Sequence, residues 1–237
     1  SMAITHTFLN VLPAVYLGAP DSEGKILSVL PGHRMLLQGK GYEAVTLTVL
    51  GSFLAIILGI ILTPLLLKFL PTLYSSIKSY IGYLLVIISV YMIFRERKKF
   101  WAFFIFMLAG IFGMGVLNLN LKEPLFPLLS SLFGVAGLLI SLKDNVKIPQ
   151  QLISKTEIPK KEVVKAMGSA GIVGTFVSLM PGLGPAQAAI IGSQIIKLTD
   201  KGFLILVGSL ETLGMVTSFI AITSIQKARN GAVVVIS

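Results

Sequence analysis

The sequence has no cysteine and only two histidines, and these absences exclude several kinds of site. Without cysteine there is no disulfide and no thiolate ligand for zinc or an iron–sulfur cluster. His6 and His33 alone cannot form a histidine-rich metal site, so we expect no metal centre. Intramembrane hydrolysis needs a serine–histidine pair, paired aspartates or a metal. None of these is evident along the chain, so we do not expect an enzyme.

Charged residues are also scarce, at 13% of the 237 residues, whereas an average soluble domain contains about 25%. Hydrophobic residues reach 54%, and the mean hydropathy is +0.88. A soluble protein of this composition would expose large apolar areas to water. We therefore expect a lipid bilayer to surround most of the protein surface.

The apolar residues are grouped into runs of the length that crosses a membrane. A helix needs about 20 apolar residues to cross a hydrocarbon core of about 30 Å. Such runs occupy Ala44–Leu67, Ser79–Phe94, Phe100–Leu121, Pro124–Leu142 and Phe203–Ile225. The predicted fold class is therefore all-α, a multi-pass helical membrane protein.

One long polar segment in the second half divides the chain into two membrane regions. Residues 1–143 are expected to hold an embedded polar segment, a cytoplasmic loop and four transmembrane helices. Residues 144–165 are expected to form a cytoplasmic linker, with a short surface helix from Lys160. Residues 166–237 are expected to hold an interrupted helix and the last transmembrane span.

Lysine and arginine are concentrated in alternate loops between the predicted spans. Thirteen lie in loops 20–43, 95–99 and 143–165, and three lie in the loops that face the opposite side. Because cytoplasmic loops of membrane proteins carry this excess, the three basic loops are predicted to be cytoplasmic and the protein to lie in the cell membrane. The net charge of +10 does not indicate nucleic acid, since the basic residues form no continuous face.

A proline- and glycine-rich motif interrupts the longest uncharged stretch, Ala166–Ile196. Proline lacks a backbone N–H and disfavours helix at the residue before it, and glycine lets the backbone turn. Inside hydrocarbon, the freed backbone groups are tolerated only where protein buries them or a watery cavity reaches them. The motif therefore predicts a re-entrant or broken helix, and a kinked helix or a surface loop is the alternative.

Half-helix ends inside a membrane carry free amides and dipoles that hold ions or anionic substrates. Gln187 would lie in the first turn after the break, near those amides. The motif thus supplies candidate substrate-binding residues, namely Pro181, Gly182, Gly184, Pro185 and Gln187.

Polar residues in two other predicted membrane segments are further candidates. Glu211 is the only formal charge inside the last span, and we interpret it as a site for a coupling Na⁺ or H⁺. A position near the interface, or pairing with a lysine, is the alternative. In the N-terminal stretch, Thr5, His6 and Asn10 are candidates for the solute site, and a polar contact between helices is the alternative.

Two series of glycines are expected to provide smooth faces for helix packing rather than ligand sites. They are Gly110, Gly113 and Gly115, and Gly168, Gly171 and Gly174. The second series is not a nucleotide-binding loop, because no strand and turn precede it.

The segment from Pro181 to Ala188 resembles the signature of the large membrane subunit of the tripartite tricarboxylate transporters, the TctA type. Met2–Phe8, Leu30–Arg34 and Lys227–Gly231 also fit this family, in particular its stand-alone, archaeal-type branch. The resemblance covers essentially the whole chain. It implies a secondary transporter with two halves, each with one Pro-Gly-rich broken segment, and carboxylates as substrates. Family chains are longer, so this chain is expected to lack the N-terminal part of the first half.

Taken together, these features predict a TctA-like secondary transporter of a small anionic solute. Its expected partners are the lipid bilayer and a partner subunit or a second copy of the chain, without nucleic acid. No cofactor is expected apart from a coupling Na⁺ or H⁺. The alternative is a non-transporting helical scaffold or subunit of a larger membrane complex.

Overall fold

The computed structural model describes residues 2–17, 31–119, 128, 130–144, 148–153, 156–180 and 183–225. Within these ranges all regular secondary structure is helical, as the composition predicts. The helices are α1 (Met2–Leu9), α2 (Val11–Tyr16), α3 (31–37), α4 (Gly41–Ile77), α5 (Ile81–Arg95), α6 (Lys99–Leu117), α7 (Ala136–Asp144), α8 (Lys160–Ser169), α9 (Thr175–Leu179), α10 (Pro185–Ile195) and α11 (Asp200–Ile225). A 3-10 turn, Lys78–Tyr80, joins α4 to α5, and a π-helical turn, Ala170–Gly174, joins α8 to α9.

Three helical stretches are long and apolar enough to cross a membrane, namely Gly41–Arg95, Lys99–Leu117 and Asp200–Ser224. The first contains both α4 and α5. Helix α5 folds back, because Ile81 packs against Leu66 and Leu70 of α4. The predicted spans that correspond to α4, α5, α6 and α11 are therefore confirmed as apolar helices. The span predicted at 124–142 lies partly outside the described residues, and its described part, 130–144, is helical.

Helices α4 and α11 form the centre of the fold and run parallel to each other. Lys201 near the start of α11 forms an ion pair of 2.5 Å with Glu43 near the start of α4. Further along, Gly59 in the middle of α4 lies against Val216 in the second half of α11. Between these points, Leu47 and Leu206 are fully buried in the same apolar core.

The parallel pair makes its closest approach at two glycines. A Cβ atom at Gly51 would overlap the backbone of Ile205, and one at Gly208 would overlap the backbone of Thr48. Small residues let membrane helices approach in this way, and the backbones then gain dispersion contacts along their length. Neither glycine was predicted to be a helix contact from the sequence.

The glycine series that the sequence did single out behave differently. Nothing in the described structure lies within 4 Å of a Cβ atom built at Gly110, Gly113, Gly115 or Gly168. These four therefore do not pack closely against a described helix, and their packing role stays a prediction. Gly174 does pack closely, against Leu210 and Leu213 of α11. Spacing alone did not separate the two cases, because helix α6 has no neighbour along that face in the described structure.

Residues 148–153 of the predicted linker lie on the turn between α3 and α4. Gly39 has a φ of +76°, a left-handed conformation that glycine adopts without strain. The carbonyl oxygen of Gly39 accepts a hydrogen bond from the backbone N–H of Leu152 at 2.9 Å. The side chain of Gln151 accepts from Gly41 N at 2.8 Å and donates to the Leu36 carbonyl oxygen at 3.1 Å. The linker is thus attached to the beginning of α4.

Candidate solute and ion site

The interrupted stretch forms a helical hairpin that packs against α11. Helices α8 and α9, with the π-helical turn between them, form one limb, and α10 forms the other. The limbs are antiparallel, because Ser169 lies against Gly192 while both ends of the hairpin meet the start of α11. At its tip, Met180 is fully buried among Leu66, Ile220 and other apolar side chains.

The break itself lies between Leu179, where α9 ends, and Pro185, where α10 begins. Met180 and Gly184 have extended backbone angles, so the helix does not run through this point. Pro185 occupies the first position of α10, where the missing N–H removes no helical hydrogen bond. The predicted interruption is therefore present. Pro181 and Gly182 lie outside the described residues.

Gln187 lies in the first turn of α10, as the sequence predicts, and it caps its own helix. Its Oε1 atom accepts a hydrogen bond from the backbone N–H of Gly184 at 2.9 Å. The first helical bond of α10 runs from Ala188 N to the Gly184 carbonyl oxygen at 3.1 Å. The N–H groups of Ala186 and Gln187 precede that bond and point out of the helix end. Helix α10 therefore begins with amides and a side-chain amide at the break.

A second polar cluster lies where α1 meets α11. Asn10 Nδ2 donates a hydrogen bond to Glu211 Oε1 at 2.7 Å, and the hydroxyls of Thr7 and Thr212 are 3.1 Å apart. Asn10 is 5% exposed, and its Oδ1 atom has no hydrogen-bond partner among the described residues. The cluster thus brings a carboxylate, an amide oxygen and two hydroxyls together in the interior.

The predicted N-terminal candidates differ in burial. Asn10, directly after α1, is buried together with Thr7, whereas Thr5 and His6 are exposed. Residues three apart on a helix share a face, so the spacing of Thr7 and Asn10 contained the signal that identifies the buried pair. Thr7 and Thr212 were not among the assigned candidates.

Two further hydroxyls lie in the first limb of the hairpin and were missed by the sequence reasoning. Ser169 is 1% exposed, and its Oγ atom has no hydrogen-bond partner in the described structure. Thr175 Oγ1 is buried in the same way. A buried hydroxyl without a partner is unfavourable, so each of these oxygens is available to an ordered water or another polar group.

The two groups of candidate residues both adjoin α11. Helices α1 and α10 each pack against α11. Among the described residues, Gln187 bonds to Gly184 at the start of its own helix, whereas Asn10 bonds to Glu211. That the Pro-Gly motif and the polar N-terminal segment form one solute site stays a prediction.

A hydrogen-bonded cluster fixes the base of the hairpin to the start of α11. Glu162 of α8 accepts from the backbone N–H and the hydroxyl of Thr199 at 3.2 and 3.1 Å. Thr199 in turn caps α11, because its Oγ1 accepts from the backbone N–H of Gly202 at 3.2 Å. The Thr199 backbone N–H, followed by Lys165, lowers the pKa of Glu162 below its ordinary value.

The described residues define a helical membrane protein with membrane-length apolar helices and an interrupted hairpin. The whole chain, residues 1–237, matches the family model described as "Tripartite tricarboxylate transporter TctA family". The chain therefore belongs to this family, as the Pro-Gly motif and the other matching stretches indicate.

The chain is also similar to an archaeal protein. The chain is 33% identical over 237 residues to "Uncharacterized protein MJ1079" of Methanocaldococcus jannaschii. The match covers 97% of this chain and 59% of the relative, so the chain spans about three fifths of that protein. No solved structure matches.

Proposed function

We propose that this protein carries a small anionic solute, of the carboxylate class, across the cell membrane as a TctA-type secondary transporter. The observation that carries the proposal is the helix break between Leu179 and Pro185, inside an uncharged hairpin that packs against α11. Family membership supports the class of function. The amides at the start of α10 and the Gln187 side chain would bind a carboxylate of the solute.

In this proposal the hairpin is re-entrant, so both of its ends lie on the cytoplasmic side. Its base is bonded to the start of α11 through Glu162 and Thr199, and Lys201 pairs with Glu43 at the start of α4. The basic loops 20–43, 95–99 and 143–165 would then share the cytoplasmic face. A hairpin that enters and leaves on one side leaves α11 to cross the membrane in the same direction as α4.

The helix geometry supports a position of the break near the middle of the membrane. Gly192 of α10 lies against Leu206 of α11. From Gly192 to Pro185, α10 rises about 10 Å, which is also the rise from Leu206 to Leu213. Pro185 then lies near the level of Glu211 and Thr212, about 15 Å along α11 from Phe203. Half of a hydrocarbon core of about 30 Å is the same length.

The cluster of Asn10, Glu211, Thr7 and Thr212 would bind the coupling ion of this transporter. Carboxylate, amide and hydroxyl oxygens are the ligands of hard cations, and the carboxylate supplies the negative charge that Na⁺ or H⁺ needs. The Oδ1 atom of Asn10, which has no partner in the described structure, is a ready ligand. The solute and the ion would then bind at the same depth in the membrane, both beside α11, so that either one could shift the position of this helix.

A scaffold or partner-subunit role is the second candidate function. Helix α6 supports it, because none of its membrane-length window is buried within the described part of the chain. A helix that is apolar all round and so exposed faces lipid or another protein. A partner subunit or a second copy of the chain would cover this helix.

Uptake by the full chain reconstituted in liposomes tests the transport proposal, with radiolabelled citrate as the probe. We expect uptake above that of protein-free liposomes. Gln187→Ala should lower it about tenfold, because a hydrogen bond to a charged group is lost. Gln194→Ala is the matched control on the same helix, since Gln194 bonds to the Tyr91 hydroxyl instead. The absence of citrate binding and uptake, or equal effects of the two variants, would reject the proposal.

A further inference from the structure

Helices α5 and α6 enclose an apolar cleft that is separate from both polar clusters. The cleft has a volume of about 640 Å³ and opens on the surface of the protein. Its walls include Leu85, Val90 and Ile93 on α5, and Phe103 and Phe106 on α6. Almost all of its lining is apolar, so the cleft suits a hydrocarbon chain better than a polar solute.

A positive charge lies at one end of this cleft. Lys99, the first residue of α6, lines the cleft, and its Nζ atom is 5.8 Å from the centroid of the Phe94 ring. At this distance a cation–π interaction with the ring keeps the ammonium group at the mouth of the cleft. The adjoining loop contains Arg95, Arg97 and Lys98, with Glu96 as the single acidic residue. The mouth of the cleft is therefore strongly basic, while its interior is apolar.

The length of the cleft corresponds to one leaflet of a bilayer. Its lining on α5 runs from Leu85 to Phe94, and these nine helical steps rise about 14 Å. A hydrocarbon core of about 30 Å gives each leaflet about 15 Å. The cleft therefore runs from the end of the helices, where headgroups lie, toward the middle of the bilayer.

We propose that this cleft is a binding site for an anionic phospholipid. The acyl chain lies between α5 and α6, and Lys99 binds the phosphate of the headgroup. Clusters of basic residues at the ends of membrane helices attract anionic lipids, and an apolar groove below them adds specificity for a bound chain. This site is independent of the solute site, since it shares no residue with the hairpin or with the Glu211 cluster.

Trp101 provides a natural reporter for this proposal, because it is the only tryptophan in the chain. Its ring makes an edge contact, at 6.4 Å between centroids, with Phe100, which lines the cleft. The full chain is reconstituted with dibrominated phosphatidylglycerol or dibrominated phosphatidylcholine, whose bromine atoms quench tryptophan fluorescence. We expect phosphatidylglycerol to bind about fivefold more tightly, the ratio that corresponds to about 1 kcal/mol per basic residue.

Matched variants separate a built site from general attraction to the basic loop. Lys99→Gln should bring the ratio of the two lipids close to one. Lys98→Gln removes the same charge from a neighbour that does not line the cleft. This variant should keep most of the preference for phosphatidylglycerol over phosphatidylcholine. Val90→Phe, which fills the cleft, should weaken quenching by phosphatidylglycerol without removing any charge.

Three outcomes would overturn the proposal. The first is equal binding of the two lipids by the unchanged protein. The second is an equal decrease of the preference for phosphatidylglycerol in Lys98→Gln and Lys99→Gln, which would indicate diffuse attraction by the loop. The third is protection of Trp101 from both lipids together with cross-linking of cysteines at Phe103 between copies, which would show that a second copy of the chain covers the cleft.

Discussion

Gly51 of α4 and Gly208 of α11 make reciprocal contacts where the two helices are closest. Gly51 contacts the backbone of Ile205, and Gly208 contacts the backbone of Thr48, three residues before the partner glycine in each case. The serine that follows each glycine donates to the carbonyl oxygen of the other glycine, Ser52 at 3.2 Å and Ser209 at 3.1 Å. One chain thus forms a symmetric pair of parallel helices.

Enlarging either glycine should destabilise this pair to a similar extent. Gly51→Val and Gly208→Val place side-chain atoms where a neighbouring backbone lies, and overpacking of this kind costs about 1–3 kcal/mol. Gly113→Val is the control, since its Cβ meets open space, and we expect a change within about 0.5 kcal/mol. Thermal unfolding in mild detergent measures all three. A large loss in Gly113→Val, or none in the first two, contradicts the symmetric contact.

Removing the charge of Glu211 should uncouple transport from its ion while leaving the fold intact. Glu211→Gln keeps an oxygen that accepts the hydrogen bond from Asn10. We expect citrate uptake to lose its dependence on Na⁺ or on the pH gradient. Citrate uptake, measured as Na⁺ and pH are varied separately, identifies the ion. A variant with the unchanged dependence of uptake on both would reject Glu211 as the coupling group.

The base of the hairpin should weaken in acid. The pKa of Glu162 lies below its ordinary value of 4.5, because the Thr199 backbone N–H donates to its carboxylate. A carboxylate with a lowered folded-state pKa stabilises the fold above pH 4.5, and this contribution disappears as the pH falls through the lowered pKa. We expect the midpoint of thermal unfolding to decrease as the pH is lowered below 4.5. Glu162→Gln should remove that part of the pH dependence. Glu157→Gln, in the same linker, should retain it.

The attachment of the linker to α4 should depend on one side chain. Gln151 bonds to Gly41 N and to the Leu36 carbonyl oxygen, so Gln151→Ala removes both contacts. We expect faster proteolysis between residues 145 and 160 in this variant. Gln150→Ala is the control in the neighbouring position, and its digestion rate should match that of the unchanged chain. Equal rates for both variants would show that the Gln151 side chain is not required to hold the linker.

The sequence predicted the helical class, the apolar spans and the break at Pro185 because each depends on local chemistry. Long uncharged runs have few alternatives to membrane helices. Pro185 has no backbone N–H to donate, and this is true whichever helices surround it. The same kind of reasoning identified Glu211 and Asn10 as polar residues in apolar segments.

Partner choice between helices was not predictable in the same way. The hydrogen bond between Asn10 and Glu211 joins residues 201 positions apart. Neither local sequence predicts which segment its polar residue will contact. Likewise, Gly51 and Gly113 both lie in apolar helices, yet one is pressed against a backbone and the other faces open space. Such differences depend on which helices become neighbours, and hydrophobic pattern alone does not determine this.

The hairpin is held in two chemically different ways, and this has a mechanical consequence. At its base, Glu162 and Thr199 form directional hydrogen bonds that fix one geometry. At its tip, Met180 and Leu183 pack among apolar side chains, whose attraction has little directional preference. Directional bonds therefore define the position of the base more narrowly than apolar packing defines that of the tip, and the helix end at Pro185 lies near the tip.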